Sequence, residues 1–523
     1  MPTLEWIGKD KVINHHQQVP YRVLEEKYTY NADKSDNMII RGDNLEALKA
    51  LLPKYEGQIK CIYIDPPYNT GNEGWIYNDN VNDPKIKKWL GEVVGKEGED
   101  LSRHDKWLCM MYPRLKLLHR LLSDDGAIFI SIDDMEFYNL RSICNEIYGE
   151  KNYVTTIIWH KNYAPKGTAR HFSEDHDYIL VYAKDGDIWE PHKMPRSDKQ
   201  NKAYKNYDND PRGLWRPNNL AARNFYSKGT YSIQCPGGRF IPGPPAGSYW
   251  RVSEDKFWDL DKDGRIWWGK DGNNVPAPKI FLSEVNDGIV PQTLWEYSDV
   301  GHTQDAKKEI KNIFAGDMPF DTPKPYQLIE RILHLASNPD SIILDSFAGS
   351  GTTAHAVLNM NKADGGNRKF ILVEMMEFAD SITAERVKRV IGGYGEGKNA
   401  MEGTGGDFTF YDLGLVLLLP DGNLNEDVDT AKIREYVWYM ETKTPLAEAT
   451  GENAYYLGNN NNTGYYFFYE KDRITTLDYE FLSTIKEKTE SYLIYADLCT
   501  IPDEELKRYN ITFKKIPRDI AKL

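Results

Sequence analysis

The chain has 523 residues and no stretch near the roughly 18 consecutive apolar residues that a membrane-spanning helix requires. Its longest aliphatic run is Leu415–Leu419. No apolar segment follows Met1, so no secretory leader is expected. Cysteine is scarce. There are five, an odd number, with no C-x-x-C pair and no Cys/His grouping at metal-ligand spacing. That speaks against a disulfide framework and a zinc site, and it fits free thiols in a reducing cytoplasm. The chain carries no Walker motif and no recognisable nuclease site, so ATP-driven work or cleavage would fall to another protein.

A basic surplus is also missing. Net charge is −14, which taken alone disfavours nucleic acid as a partner. The distribution says otherwise. Lys193 to Lys228 holds nine Lys/Arg against three Asp/Glu, a local +6, whereas Glu402 to Leu523 holds 13 basic and 22 acidic residues, a local −9. Such a reversal assigns the two segments different tasks.

With 40% hydrophobic and 28% charged residues, the composition is that of a soluble globular protein of two or three domains. Period-3.6 and β-branched patterns predict alternating elements. Met38-Ile39-Ile40 reads as a strand and the leucines 45, 48, 51 and 52 as one helix face. Ile59–Ile64 and Ala127–Ile132 read as strands flanking a helix over Trp107–Leu122, and "TTIIWH" and "DYILVYAK" as two more. Residues 184 to about 322 are rich in Gly, Pro and Trp and predict an irregular, mostly β insertion, with no helix of length before Gln304–Phe314. Alternation then returns through Glu385–Ile391, and "GGYGEGKNAMEGTGGD" reads as a linker.

Two stretches carry chemistry. In "ILDSFAGSGTTAHAV", Ile343 to Val357, a strand runs through glycines 349 and 351 into a helix. Such a turn brings backbone close to a ligand at a helix N-terminus. "ILVE" ends another strand on Glu374, 25 residues after Gly349, where an acid can bind a ribose diol. The loop has neither the G-x-G-x-x-G spacing nor the Lys-Ser/Thr of a P-loop, so a nucleoside ligand without a polyphosphate fits better than NAD or ATP. Taken alone, the loop is equally a tight strand–helix turn.

In "YIDPPYNTG", Tyr63 to Gly71, an apolar strand stops on Asp65. Pro66 and Pro67 lack N–H groups and cannot extend a ladder, but their carbonyls remain acceptors. Tyr68 adds a flat face. The set matches an exocyclic amine on an aromatic ring: two N–H groups for the Asp65 carboxylate and the Pro66 carbonyl, with the nitrogen lone pair drawn toward an electrophile. The bland alternative is a Pro-Pro turn that merely ends a strand.

"DPPYNTG" together with "FAGSGTTAHAV" resembles the S-adenosylmethionine-dependent DNA amino-methyltransferases, and D-P-P-Y resembles their adenine-N6 branch. The catalytic motif precedes the cofactor loop, which resembles the permuted β class. "DTPKPYQLIERIL" and "IIRGDNLEAL" resemble the family's segments near the cofactor. A closer resemblance is to the modification subunits of type III restriction–modification systems, carried by "GDNLEALKALLPKYEGQIKCIYIDPPYNTG", "DGAIFISIDDMEFYNLR" and "FSEDHDYILVYAK", and covering roughly residues 36 to 185 and 318 to 391.

The resemblance implies an α/β, Rossmann-like methyltransferase sheet in permuted order, with an inserted target-recognition domain and a C-terminal α+β domain. The expected boundaries are an N-terminal arm (1–35), a catalytic half (36–185), the recognition insertion (186–317), a cofactor half (318–395), a linker (396–404) and an assembly domain (405–523). It implies catalysis by Asp65, Pro66, Pro67 and Tyr68. It implies S-adenosylmethionine binding by Asp43, Lys324, Pro325, Asp345, Phe347, Gly349, Gly351, Thr352 and Glu374, with no metal. Implied partners are double-stranded DNA, a second copy of the chain and a separate ATP-dependent restriction subunit. Within the basic insertion, Lys205, Arg212, Arg216 and Arg223 are candidate DNA contacts, and Trp215 is a packing or stacking residue. A solitary adenine methyltransferase, an idle DNA-recognition scaffold, and methylation of RNA or a protein glutamine are the alternatives. A cytosine-C5 mechanism needs a Pro-Cys nucleophile, and the sole adjacent pair, Cys235-Pro236, is reversed.

Overall fold

The computed structural model describes residues 3–69, 88, 91–93, 102–165, 167–196, 201–285, 288–447 and 453–523. Thr70 and Gly71 of the D-P-P-Y stretch and Lys199 of the basic segment lie outside the described residues. The chain forms two compact units, one from Met1–Pro191 with Gln292–Leu523 and one from His192–Pro291.

The larger unit is built on a ten-stranded sheet. In chain order its strands are β1 (Arg22–Tyr30), β2 (Met38–Arg41), β3 (Ile59–Ile64), β4 (Leu122–Ile132), β5 (Tyr153–His160), β6 (His176–Ala183), β7 (Leu294–Trp295), β8 (Ile342–Asp345), β9 (Lys369–Glu374) and β10 (Phe408–Val416). Their spatial order is β1-β10-β2-β9-β8-β3-β4-β6-β5-β7. From β10 to β4 all neighbours are parallel. β6 runs antiparallel to β4 and to β5, and β1 antiparallel to β10. The central strands are nearly continuous apolar runs because helices cover both faces, as parallel sheets require.

Helix α1 (Asn44–Tyr55) follows β2, α2 (Arg103–Leu121) links β3 to β4, α3 (Phe137–Tyr148) follows β4 and α4 (Thr303–Ile313) follows β7. α5 (Tyr326–Ala336) precedes β8, α6 (Thr352–Asp364) links β8 to β9 and α7 (Glu385–Gly392) follows β9. β3 and β8 lie side by side, but the crossover from β3 runs one way to β4 and that from β8 runs the other way to β9. The loops after β3 and β8 diverge there, which makes the crevice where open α/β sheets bind ligands.

Several expected boundaries move. The compact insertion is narrower than 186–317. β7 is parallel to β5, and α4 meets the main unit through the Arg389 guanidinium on the Ile313 carbonyl, so residues 292–317 belong to the main unit. A two-residue strand leaves no periodic signal to read. The insertion also contains a nine-residue helix, Glu254–Lys262, around the buried Phe257. Residues 1–35 are more than an arm, since β1 closes one edge of the sheet. α2 starts at Arg103, before the expected Trp107, because Ser102 and Asp105 form a reciprocal capping box.

The glycine-rich stretch is not a free linker. Gly393–Tyr394 pairs with Met401–Glu402, and a Cβ on Gly403 would lie 2.3 Å from the Ile391 carbonyl oxygen. Nor does a separate domain begin at 405, because β10 is part of the main sheet. The α+β remainder has a four-stranded sheet, Tyr456–Asn460, Thr463–Phe467, Ser491–Ala496 and Ile511–Lys515, beside helix α8 (Thr430–Thr442). Its aromatics Tyr436, Trp438, Tyr439, Tyr466, Phe467 and Phe468 are all buried in this chain's own core. Among the described residues, no helix is long and apolar enough to cross a membrane.

Candidate active site

Parallel packing of β2, β9, β8 and β3 brings four distant acids to one sheet edge: Asp43 beyond β2, Glu374 ending β9, Asp345 ending β8 and Asp65 beyond β3. Three of them spend their oxygens on the chain itself.

Asp43 caps α1, accepting from the Leu45 and Glu46 amides at 2.8 and 3.3 Å, and it takes the buried Arg114 guanidinium at 3.2 Å. Arg114 also bonds the Asn44 side chain, whose amide reaches the Ser346 carbonyl at 3.1 Å. The end of β2 is thereby tied to the loop after β8. Glu374 accepts the Gly349 amide at 2.8 Å on one oxygen and the Met376 amide at 3.0 Å on the other. Asp345 accepts the Phe347 amide at 3.0 Å and the Thr353 hydroxyl at 2.5 Å. Burial disfavours its charged form and pushes its pKa up to about 7, against the pull of those two donors.

These bonds hold the glycine loop in a shape that favours glycine. Gly349 and Gly351 sit at φ 52° and 80°, and a Cβ on Gly351 would lie 3.0 Å from the Thr383 carbonyl oxygen. The Thr383 hydroxyl in turn donates to the Gly349 carbonyl at 2.6 Å. Below the loop a buried guanidinium, Arg386, donates to the Ser350 and Thr352 hydroxyls at 2.9 and 2.7 Å. Phe347 lines two narrow clefts. One also includes Asn44, Pro67, Arg114 and Glu374; the other is formed by Tyr63, Asp65, Lys324, Asp345, Gly349 and Thr352 among others.

Asp65 differs from the other three. Its Oδ2 is paired with the Lys324 ammonium, and its Oδ1 is buried without a hydrogen-bond partner among the described residues. The Pro67 carbonyl is taken by the buried Trp107 indole N–H at 2.6 Å, which leaves the Pro66 carbonyl as the acceptor of that pair for a ligand. Asn69 adopts φ 59° and donates to buried Glu136, which His104 Nδ1 and the Asn139 amide also bond, each at 2.7 Å. This network fixes the end of the Pro-Pro turn and so aims Tyr68. The Tyr68 hydroxyl reaches Asp177 at 3.5 Å, and Asp177 is held by Lys161. Burial, reinforced by the Asp177 and Asp65 carboxylates, keeps the Tyr68 phenol well above its usual pKa and therefore neutral.

The expected catalytic and cofactor residues are thus brought to one edge. Lys324 stands on Asp65 itself, while its carbonyl accepts from Thr352 at 3.4 Å. Trp107, Arg114, Asp177 and Arg386 join the site from outside the two motifs. Of these, Asp177 has a readable sequence signal, an acid opening the apolar strand "DYILVYA".

In the other unit the five insertion residues divide. Lys205, Arg216 and Arg223 are exposed. Arg212 is spent on Asp210 and Asp263, at 2.9 and 3.2 Å. Trp215 is fully buried, donates to Asp208 at 2.9 Å and packs against Tyr207 and Trp267, so it serves packing and presents no stacking face.

The DNA methylase family model matches residues 59–385, which spans both loops of the crevice. The StyLTI Mod subunit of a type III restriction–modification enzyme from Salmonella typhimurium is 34% identical over 74% of this chain and 62% of its own length. The EcoPI Mod subunit from Escherichia phage P1 is 32% identical over 72% and 64%. The type II methyltransferase M.KpnI from Klebsiella pneumoniae is 34% identical over 67% and 85%. The chain spans a little over three fifths of the length of the two Mod subunits. With the match running from the first residue of β3 into α7, and so through the Asp65 turn and the glycine loop, the chain belongs to the DNA methylase family.

Proposed function

We propose that this chain methylates the exocyclic N6 amine of an adenine flipped out of duplex DNA, using S-adenosylmethionine, and that it is the modification and specificity subunit of a type III restriction–modification system. The observation that carries the reading is the buried, unpartnered Oδ1 of Asp65 beside the Pro66 carbonyl and the Tyr68 ring.

S-adenosylmethionine, when bound, supplies a methyl group activated on a positively charged sulfur. The cradle fits a nucleoside: a glycine loop a Cβ would obstruct, an aromatic at 347 and strand-end acids at 43, 345 and 374. Asp43, Pro325, Asp345, Phe347, Gly349, Gly351, Thr352 and Glu374 would hold it, with Lys324 bordering the cleft through its backbone carbonyl, which accepts from Thr352. Asp65 and the Pro66 carbonyl accept the two amine N–H groups and pull the nitrogen lone pair out of the ring. The nitrogen would take the methyl group as its bond to sulfur breaks, leaving a neutral thioether, and the Asp65 carboxylate would face the positive charge that grows on nitrogen. One proton would then pass from nitrogen to water, with no covalent enzyme intermediate. Flipping the base costs a few kcal/mol. Stacking on Tyr68 offsets about 1–3 kcal/mol of that.

The insertion carries the DNA in this reading, with exposed Lys205, Arg216 and Arg223 as contacts and Arg212 holding the unit together. Duplex DNA as substrate and free thiols favour a cytoplasmic location. A homodimer lets one copy read the site while the other methylates, and a separate ATP-dependent restriction subunit would do the cutting. These last two rest on the similarity to Mod subunits, because the C-terminal aromatics fill this chain's own core. Light scattering on the full chain should give twice the monomer mass, and a monomer would remove the dimer from the account. A second reading, a solitary adenine methyltransferase, is favoured by the match to 85% of M.KpnI.

Methylation-sensitive sequencing of DNA from cells expressing this chain alone tests the whole reading. N6-methyladenine within one recurrent sequence is expected. Unmodified DNA, or methyl groups on cytosine, would overturn it.

A further inference from the structure

Lys324 sits where the target amine is expected. Its ammonium is bonded to Asp65 Oδ2 and lies 5.1 Å from the centre of the Tyr68 ring, so it uses two of the three groups that define the amine slot. Its side chain is 13% exposed. Its own carbonyl accepts from the Thr352 hydroxyl, and its side chain lines the cleft shared with Gly349 and Asp345. One residue therefore spans the amine slot and the glycine loop.

A structural ion pair is the plain alternative, and two features speak against it. The pair leaves the other Asp65 oxygen buried and without a partner among the described residues, which a purely structural partner would be expected to satisfy. Lys324 is also in the wrong place for the reaction. Methylation makes the amine nitrogen cationic, and an ammonium on the same carboxylate would oppose that charge. The lysine has to leave before transfer, and the force available to move it is like-charge repulsion from the neighbouring cleft.

We propose that Lys324 fills the amine slot of the resting protein and withdraws when a cationic ligand occupies the cleft lined by Gly349 and Thr352. This rests on the methyltransferase reading above. The slot is then closed to bases when the cleft holds a neutral nucleoside such as the spent cofactor, and open when it holds a charged one.

The test uses Lys324→Met, which keeps the length and removes the charge, and Lys324→Arg, which keeps the charge. Calorimetry measures S-adenosylmethionine against S-adenosylhomocysteine for each full-length protein. Lys324→Met should raise affinity for the charged ligand relative to the neutral one by about fivefold, and Lys324→Arg should leave the ratio near that of the wild type. An unchanged ratio in Lys324→Met overturns the proposal. Saturation-transfer NMR with 9-ethyladenine gives a second reading on the wild type alone, independent of how the variants fold. The base should bind with sinefungin, which carries an ammonium in place of the sulfonium, and not with S-adenosylhomocysteine. Equal signals also overturn the proposal. A wild type that binds neither nucleoside sinks the methyltransferase reading itself, a different failure from one in which both bind and Lys324→Met changes nothing.

Discussion

The acids around the glycine loop and the acid of the Pro-Pro turn occupy equivalent places, each at the carboxyl end of a parallel strand. What separates them is what their oxygens do. Asp43, Asp345 and Glu374 are engaged with backbone amides, a hydroxyl and a guanidinium, and they shape loops. Asp65 keeps one buried oxygen without a partner among the described residues and lends the other to a lysine. In the proposed reaction the acids consumed by the fold build the cradle, and the acid kept open meets the amine. The insertion shows the same division among cations, with Arg212 consumed by Asp210 and Asp263 and Arg223 exposed.

The largest effect should follow from Asp65→Ala. Methyl transfer should fall by at least about 100-fold with cofactor affinity nearly unchanged, since only the orientation and charge compensation of the amine are lost. Turnover within about tenfold of wild type would erase the distinction between Asp65 and the other three acids. Glu374→Ala is the mirror test. Two amides lose their acceptor, so calorimetry should show about tenfold weaker cofactor binding and melting should show about 1–3 kcal/mol less stability.

In the insertion, replacing Lys205, Arg216 and Arg223 by Gln should lower the salt slope of DNA binding by about 1 for each phosphate that is no longer neutralised. Arg212→Gln should instead lower the melting temperature, because the buried Asp210 carboxylate loses one of its two cations and keeps only Lys279, at 2.8 Å. Equal slopes for all four would end the consumed-versus-open distinction there.

A pH dependence separates Asp345 from the other acids. Asp345 titrates near 3.8 when unfolded and is raised to about 7 when folded. A raised carboxyl holds its proton longer in the native state, so its contribution to stability is full below about pH 4 and declines as pH rises toward 7. Melting curves of Asp345→Asn against wild type should converge at acid pH and diverge in the variant's favour near neutrality. A constant gap across that range would count against the raised pKa.

The features legible in the sequence are those written locally. The strand that stops on Asp65, the glycine pair at 349 and 351 and the acid 25 residues later each sit within one short window. The Lys324–Asp65 pair is not legible in this way, because 259 positions separate its members. Trp107 reaches the Pro67 carbonyl across 40 positions, and nothing in the spacing of α2 marks its indole for that task. β10 does not announce itself as a sheet member, because a parallel neighbour 371 positions upstream at β2 leaves no local trace. Arg212 and Arg223 look alike in sequence, and only the fold shows which one is engaged.

In the proposed reaction Asp65 receives the exocyclic amine of adenine. Purified chain, unmethylated DNA and S-adenosylmethionine carrying an isotope-labelled methyl group, followed by digestion to nucleosides and mass spectrometry, test it most directly. The account predicts the label in N6-methyladenine with wild type and its loss with Asp65→Ala. Label in N4-methylcytosine, or N6-methyladenine formed equally by both proteins, would contradict it.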